Sequence, residues 1–409
     1  MPSRKRGKAS NIAIMALLLA LLAGCSTTIV RAPPAPAPGP APEDLAGAPA
    51  PDPHWTFDDS TLPPAEADGY RPPARLAVLL PLSGDLSRAA VPVRDGLLAA
   101  YHAERRRRPD LTFHDTAGTP GGALAAYSEA VAAGADFVLG PLGRDEVGAL
   151  FARGELPVPV LALNRGSTPP PPGNASFSLA PEDDGIAAAG YLLARNAERV
   201  LVLSGPDDTL RRAASAFGDA LRARGGEVAA ELTVYAPETD ISAALAAAAA
   251  APGGVDAVFL ALAPKRIRAV LPQLEAAGLG DRPKVATSQL SSASPAEASR
   301  LDYTAEHALD GIAFPTQLWG TRGVAGLPSP DVAAEMLPSA RGGAARLFAF
   351  GHDAWLLTAY LELLATEPEA SVPGATGRLR VDAQGNVLRA PAWSTWNGDA
   401  VVPLANAGG

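Results

Sequence analysis

Eight apolar runs in this chain are continuous instead of alternating, and nothing else in the sequence restricts its fold so tightly. They are RLAVLL (75–80), LTFH (111–114), DFVLG (136–140), VPVLAL (158–163), RVLVLS (199–204), EVAAELTVY (227–235), DAVFLAL (256–262) and KVAT (284–287). A strand with one wet face alternates apolar and polar side chains, so an unbroken run signals burial on both faces, as in a parallel sheet covered by helices. Helical stretches rich in Ala and Leu fall between the runs, near 91–108, 122–133, 144–153, 183–196, 208–224, 239–251 and 264–277. Pro109, Gly225–Gly226 and Pro252–Gly253–Gly254 stand where those helices should stop. The βαβα succession gives the α/β class with right-handed crossovers. From Ala74 onward the chain is too long for one core and suits two lobes.

After Pro315 the pattern changes. Residues 316–343 are rich in Gly, Pro and Ser, 344–365 read as one long helix, and TGRLRVDAQGNVLRAPAWSTWNG (376–398) predicts a hairpin turning at Ala383 to Asn386 with a further strand behind it. Trp319, inside the Gly/Pro-rich insertion, suits either an exposed interface or burial against a lobe.

The N-terminus carries a different message. A cationic head (Arg4, Lys5, Arg6, Lys8), an apolar core from Ile12 to Leu22 and the small residues Ala23 and Gly24 have the layout of an export signal over residues 1–24. That core is too short for a membrane span, which needs about 20 residues. Leu22-Ala23-Gly24-Cys25 resembles the lipobox of bacterial lipoproteins, which implies lipidation of Cys25, and Ser26 after it resembles sorting to the outer membrane. Cys25 is the only cysteine, so disulfides, thiolate zinc sites and cysteine nucleophiles are excluded for the monomer. Loss of the signal removes four basic groups and takes the formal net charge from −9 to −13, which does not favour nucleic acid. Residues 25–73 then read as a lipidated, Pro/Ala-rich tether, with thirteen prolines between 31 and 73. His54, Trp55 and Phe57 read as an incidental aromatic cluster within it, in preference to a docking motif.

Several stretches together resemble one family. PLSGDLSRAAVPVRDGLLAAY (81–101), HDTAGTPGGALAAYSEAVAAGADFVLGPLGRDEV (114–147), VLALN (160–164), FSLAPEDDG (177–185), GVDAVFLAL (254–262) and ATSQ (286–289) are similar to the periplasmic-binding-protein-like domain of the penicillin-binding protein activator LpoA family. The resemblance implies two Rossmann-like lobes of parallel sheet flanked by helices, in the manner of type I periplasmic binding proteins. Residues 74–180 and 310–370 would form the first lobe, and 181–309 and 371–409 the second. It also implies an outer-membrane lipoprotein facing the periplasm that stimulates a class A penicillin-binding protein. The family's additional tetratricopeptide-like N-terminal domain has no counterpart here; the tether stands in its place.

Parallel α/β sheets bind ligands beyond the carboxyl ends of their strands, where helix N-termini offer free N–H groups. That rule nominates Ser83, Gly84 and Asp85, then Asp115 and Thr116, Pro141 to Arg144, Asn164, Ser204, and Ser288 with Gln289. Each residue type also caps helices and forms turns. The acids of Gly143-Arg144-Asp145-Glu146 would repel an anion, so a ligand would be cationic or a sugar-peptide, and the cleft could equally be vestigial. Arg105 to Arg108 read as a solvated helix end, and Arg211 and Arg212 as better candidates for a contact. Nucleophile elbows, zinc-binding helices, P-loops and serine-lysine motifs are missing, and the five histidines lack ligand spacing, so neither catalysis nor a metal or other cofactor is expected. The expectation is a non-catalytic regulator of peptidoglycan synthesis. A solute receptor for an amino acid, peptide or muropeptide is the alternative, since it shares the fold.

Overall fold

The computed structural model describes residues 54–57, 63–292, 307–324 and 326–404. The export signal, Cys25 and the tether up to residue 53 lie outside them.

The first lobe opens with β1 (Arg75–Leu80), α1 (Ser87–Ala103), β2 (Asp110–Asp115), α2 (Pro120–Ala132), β3 (Phe137–Leu139), α3 (Arg144–Phe151), β4 (Val160–Ala162) and β5 (Ala175–Ser176). Its five strands are parallel in the order β2-β1-β3-β4-β5. Both faces of β1 are buried, as its unbroken apolar run demands. Leu76, Val78 and Leu80 enter one core, while Ala77 and Leu79 enter another beneath α2 and α3. Thr119 caps α2 by accepting the Gly122 N–H at 3.0 Å.

The second lobe repeats the scheme with α4 (Pro181–Leu193), β6 (Arg199–Ser204), α5 (Asp208–Arg222), β7 (Glu227–Thr233), α6 (Ser242–Ala250), β8 (Ala257–Ala261), α7 (Pro264–Ala276) and β9 (Lys284–Ala286). Its parallel order is β7-β6-β8-β9. Leu201, Leu203, Val258 and Leu260 pack with Leu245 and Ile267 on one face; Val200, Val202 and Phe259 pack with Ala188 and Phe217 on the other.

The remainder is β10 (Phe314–Thr316), α8 (Leu318–Arg322), α9 (Pro330–Met336), α10 (Ala344–Thr366), β11 (Val372–Pro373), β12 (Arg378–Val381), β13 (Val387–Ala390), β14 (Ala392–Asn397) and β15 (Ala400–Pro403). Here the expected lobe limits need correction. Ile312 and Phe314 belong to the core of the second lobe, so residues 310–316 go there and not to the first. Val372, Leu379 and Val387 belong to the core of the first lobe with α1 and α10, so 371–390 do not join the second. The apolar faces decide: the β12–β13 hairpin has its partners around Phe177 and Leu361, whereas Trp393 and Trp396 of β14 find theirs beside β8 and β9. The chain therefore passes between lobes near 177–181, 316–318 and 390–392.

The Gly/Pro-rich insertion is a cover for the first lobe. Trp319 is 1% exposed, lies 5.4 Å from the Phe348 ring and donates its indole N–H to the Pro328 carbonyl at 2.8 Å. Burial against a lobe thus holds for it, and an exposed interface does not.

The tether expectation also needs shortening. Tyr70 to Pro73 are buried, and Tyr70 donates its hydroxyl to the Arg107 carbonyl at 2.7 Å. Arg71 makes a two-pronged contact with Glu362 at 2.8 Å. Arg106 lies 3.6 Å over the Tyr70 ring and bonds Glu104 and Asp68, while Arg107 donates to the Pro72 carbonyl. Two of the four arginines read as a solvated helix end thus clamp the lead-in segment, because they stand beside its aromatic and acidic residues. His54 and Trp55 are docked as well. The His54 ring nitrogen bonds the Asn174 carbonyl at 2.8 Å, and Trp55, stacked on Phe57, packs against the first core. They are a docking motif, not an incidental cluster.

Helices α1 and α10 approach so closely that Gly96 and Gly351 are obligatory. A Cβ on Gly96 would overlap the Phe348 carbonyl, and one on Gly351 the Val93 carbonyl. Gly351→Ala is expected to cost about 3 kcal/mol through overpacking. Gly121→Ala, on α2 with open space around it, should change stability by less than about 1 kcal/mol. Urea midpoints of the two variants check the contrast.

Candidate functional site: the cleft between the lobes

In the first lobe the nominated polar residues are mostly spent on one another. Asp115 accepts the N–H groups of Leu82 (2.8 Å), Ser83 (3.2 Å) and Ala117 (2.8 Å), and the Ser83 hydroxyl at 2.7 Å. The Ser83 hydroxyl first, then these N–H donors, hold the Asp115 carboxyl below its usual range. Gly84 supplies the positive φ of 76° that turns this loop, where an added Cβ would meet the Ala117 carbonyl. Asp85 follows in the same turn, and Thr116 is fully buried. Pro141 is buried and accepts the Leu163 N–H through its carbonyl; Asn164 donates to the Leu142 carbonyl at 2.9 Å. These contacts tie the loops after β3 and β4 together.

Glu146 corrects the expectation that α3 would repel an anion with both of its first-turn acids. Its carboxylate turns back to accept the Gly143 N–H at 2.6 Å and is 1% exposed. Burial raises its pKa, against the hydrogen bonds from Thr116 and Gly143. Arg144 is exposed and lines a cavity of about 280 Å³ with Leu142, Asn164, Leu179 and Arg212.

Across the cleft, Asp184 in the first turn of α4 accepts the Ser288 N–H at 2.9 Å and its hydroxyl at 2.6 Å. Ser288 and Gln289 lie on the rim of a second cavity, about 420 Å³, together with Arg346 of α10 and Arg389 of β13. Ser204 ends β6 buried, with its carbonyl accepting the Val234 N–H, and lines none of these cavities. The structure thus brings Ser83 to Asp115, Pro141 to Asn164, and Ser288 to Gln289, while Ser204 stands apart.

Charged residues outside the set nominated at the strand ends dominate the cleft. Arg165, in the loop after β4, pairs with Asp183 of α4 at 2.8 Å and so joins the two lobes. Burial pushes the Asp183 carboxyl up, opposed by Arg165 and Arg389. Arg212 grips Glu182 with two hydrogen bonds at 2.8 and 2.9 Å, inside the second lobe. Burial works against ionisation of Glu182, yet the bonds from Arg212 keep its pKa below the usual value. Arg212 is thereby a structural partner, whereas Arg211 stays at the surface beside Asp208. PEDD at 181–184 contributes to the family resemblance, but acids opening a helix look like ordinary dipole partners, so nothing marked Glu182 or Asp183 as residues of the cleft. Among the described residues no group of three or more His, Cys, Asp or Glu is placed to hold a metal ion.

Two lobes of parallel sheet, joined by three chain crossings around a cleft, define a periplasmic-binding-protein-like domain of type I. The chain belongs to the family described as "LppC putative lipoprotein", whose model matches residues 69–398. Among curated relatives, the penicillin-binding protein activator LpoA of Photobacterium profundum is 25% identical over 362 residues, covering 81% of this chain and 57% of the relative. The LpoA of Mannheimia succiniciproducens is 27% identical over 350 residues, covering 81% and 55%. This chain therefore spans little more than half the length of those relatives. Among solved structures, the LpoA C-domain of Haemophilus influenzae, described as a regulator of PBP1A, is 21% identical with a TM-score of 0.67, covering 81% of this chain and all of that one. A "putative branched-chain amino acid ABC transporter" of Chromobacterium violaceum is 28% identical with a TM-score of 0.61, covering 79% and 100%.

Because the folded pKa of Glu146 is raised, its favourable contribution is complete below the unfolded carboxylate value of 4.5 and is lost as pH rises through the folded value. Glu146→Gln keeps an acceptor for the Gly143 N–H without a charge to bury. The variant should therefore gain stability over the parent at pH 7.5, with the gain shrinking toward pH 4.5. Urea midpoints at the two pH values measure it; an equal gain at both would contradict the burial argument.

Proposed function

We propose that this chain is a lipid-anchored activator of a class A penicillin-binding protein, held to the outer membrane through Cys25 and facing the periplasm. The observation that carries this reading is the family match across residues 69–398, together with relatives that are named penicillin-binding protein activators over the same domain. The lipobox-like sequence supports the anchor. No helix among the described residues is long and apolar enough to cross a membrane.

The action is non-catalytic on this reading. A regulator needs only a surface that fits one conformation of the synthase better than another, since a ligand shifts an equilibrium by its differential affinity. The solute-receptor alternative has the fold in common, but the curated relatives carry the name of penicillin-binding protein activators.

Reconstitution tests the reading. The full lipidated chain in liposomes, mixed with a class A synthase from the same cell, should raise the rate of glycan polymerisation or crosslinking. An unchanged rate, with no binding of the synthase in a pull-down from crosslinked envelopes, would overturn it.

A further inference from the structure

The cavity of about 420 Å³ between the lobes has a charge arrangement that the activator reading does not use. Arg346 and Arg389 both line it, and among the described residues neither makes an ion pair with a carboxylate. The Nε of Arg389 is closed to solvent and has no hydrogen-bond partner. Arg389 as a whole is partly exposed, so it is this one nitrogen that is shut from water, and a buried polar N–H without a partner is costly.

The acids around Arg389 are already engaged. Asp183 is paired with Arg165 at 2.8 Å. Asp184, which itself lines the cavity, accepts both bonds from Ser288, and Asp353 accepts the N–H groups of Ala375 and Thr376 and the Thr376 hydroxyl. Helix α10 adds to the positive field. Its 23 residues begin at the cavity wall with no side-chain cap and no acid in the first turn. The N–H groups of Ala344 and Ala345 turn back onto the carbonyls of Arg341 and Gly342, so the helix contributes its dipole more than free donors. Thr316 and Ser291 add hydroxyls to the lining. The volume falls within the range of small-ligand sites, about 300–1,000 Å³.

We propose that this cavity binds a small ligand through an oxyanion group, carboxylate or phosphate, held between the guanidinium groups of Arg346 and Arg389. Arg346 belongs to the first lobe, whereas Ser291 belongs to the second, so an occupant would favour one angle between the lobes. The proposal rests on the cavity and not on activation of a synthase, and the two can fail separately.

Calorimetric titration of the full chain, with inorganic phosphate and with succinate at matched ionic strength, tests it. At least one anion should bind saturably at one site; phosphate alone would indicate a phosphoryl ligand and succinate alone a carboxylate. Arg346→Gln, a half-exposed position, should weaken binding at least about tenfold, as loss of one charged hydrogen-bond partner would. Arg389→Gln should abolish it, and Arg105→Gln, outside the cavity, should leave it unchanged. Should Arg389→Gln fail to fold, Arg346→Gln carries the test alone. The proposal is overturned if neither anion binds beyond the effect of ionic strength, or if binding survives Arg346→Gln undiminished.

Discussion

The close crossing of α1 and α10 is the constraint on which the rest of the molecule depends. Helix α10 follows the second lobe in sequence, yet it must return to the first, and two glycines make the return tight enough to hold. Gly96 and Gly351 let each helix rest on the other's backbone, with Val93, Leu97 and Phe350 closing around them. Asp353, fully buried one turn beyond Phe350, then fixes what comes next by accepting the N–H groups of Ala375 and Thr376. With those bonds made, the β12–β13 hairpin can only fall on the first lobe, and Ala390 is where the chain leaves it. The return to the first lobe near 316–318 and the exit near 390–392 follow from this one packing contact.

Within the cleft, polar chemistry divides into groups that shape the walls and groups left over. Ser83, Asp115, Asn164 and Ser288 all have partners within their own loops or across one short gap. Asp183 with Arg165 adds a buried link between the lobes. A buried pair of this kind contributes little net stability compared with apolar packing, and its better-attested effect is to fix a register. Here the register is the position of α4 against the loop after β4, which sets the angle at the first crossing. Among the described residues, Arg144, Arg346 and Arg389 are the cleft arginines left without an ion pair once these assignments are made, and the last two share one cavity.

Much of the fold was legible because continuous apolar strands leave few alternatives. RVLVLS formed β6 over 199–204, and RLAVLL formed β1 over 75–80. The hairpin turn at 382–386 was legible too, since Asp382 accepts bonds from Gln384 and Asn386 as an Asx turn should. Lobe membership after residue 310 was not legible: it depends on which core a short β-strand meets, and Val372 or Phe314 would suit either. The site was less legible still. Ser, Asp and Asn at strand ends were found by position, but the same residue types close loops, and most of them do so here. Arg346 lies in a helix and Arg389 in a hairpin, far apart in sequence, and only the tertiary fold places both at one cavity.

The docked N-terminal segment bears on how an anchored domain would work. An extended chain spans at most about 3.5 Å per residue, so a tether from Ser26 to Pro73 would allow roughly 170 Å. Contacts beginning at His54 remove about twenty residues from that span, and the limit for 26–53 is about 100 Å. The lost residues are not wasted. Arg106 and Arg107 bind Asp68, Tyr70 and Pro72 beside the end of α1, and His54 is seated at Asn174. Any pull transmitted through the tether would therefore reach the first lobe at two seated contacts instead of at a swivel. On the proposed reading, the anchor then constrains the lobe that carries α10 more directly than the second lobe, which leaves the second lobe freer to respond to a partner or to an occupant of the cleft.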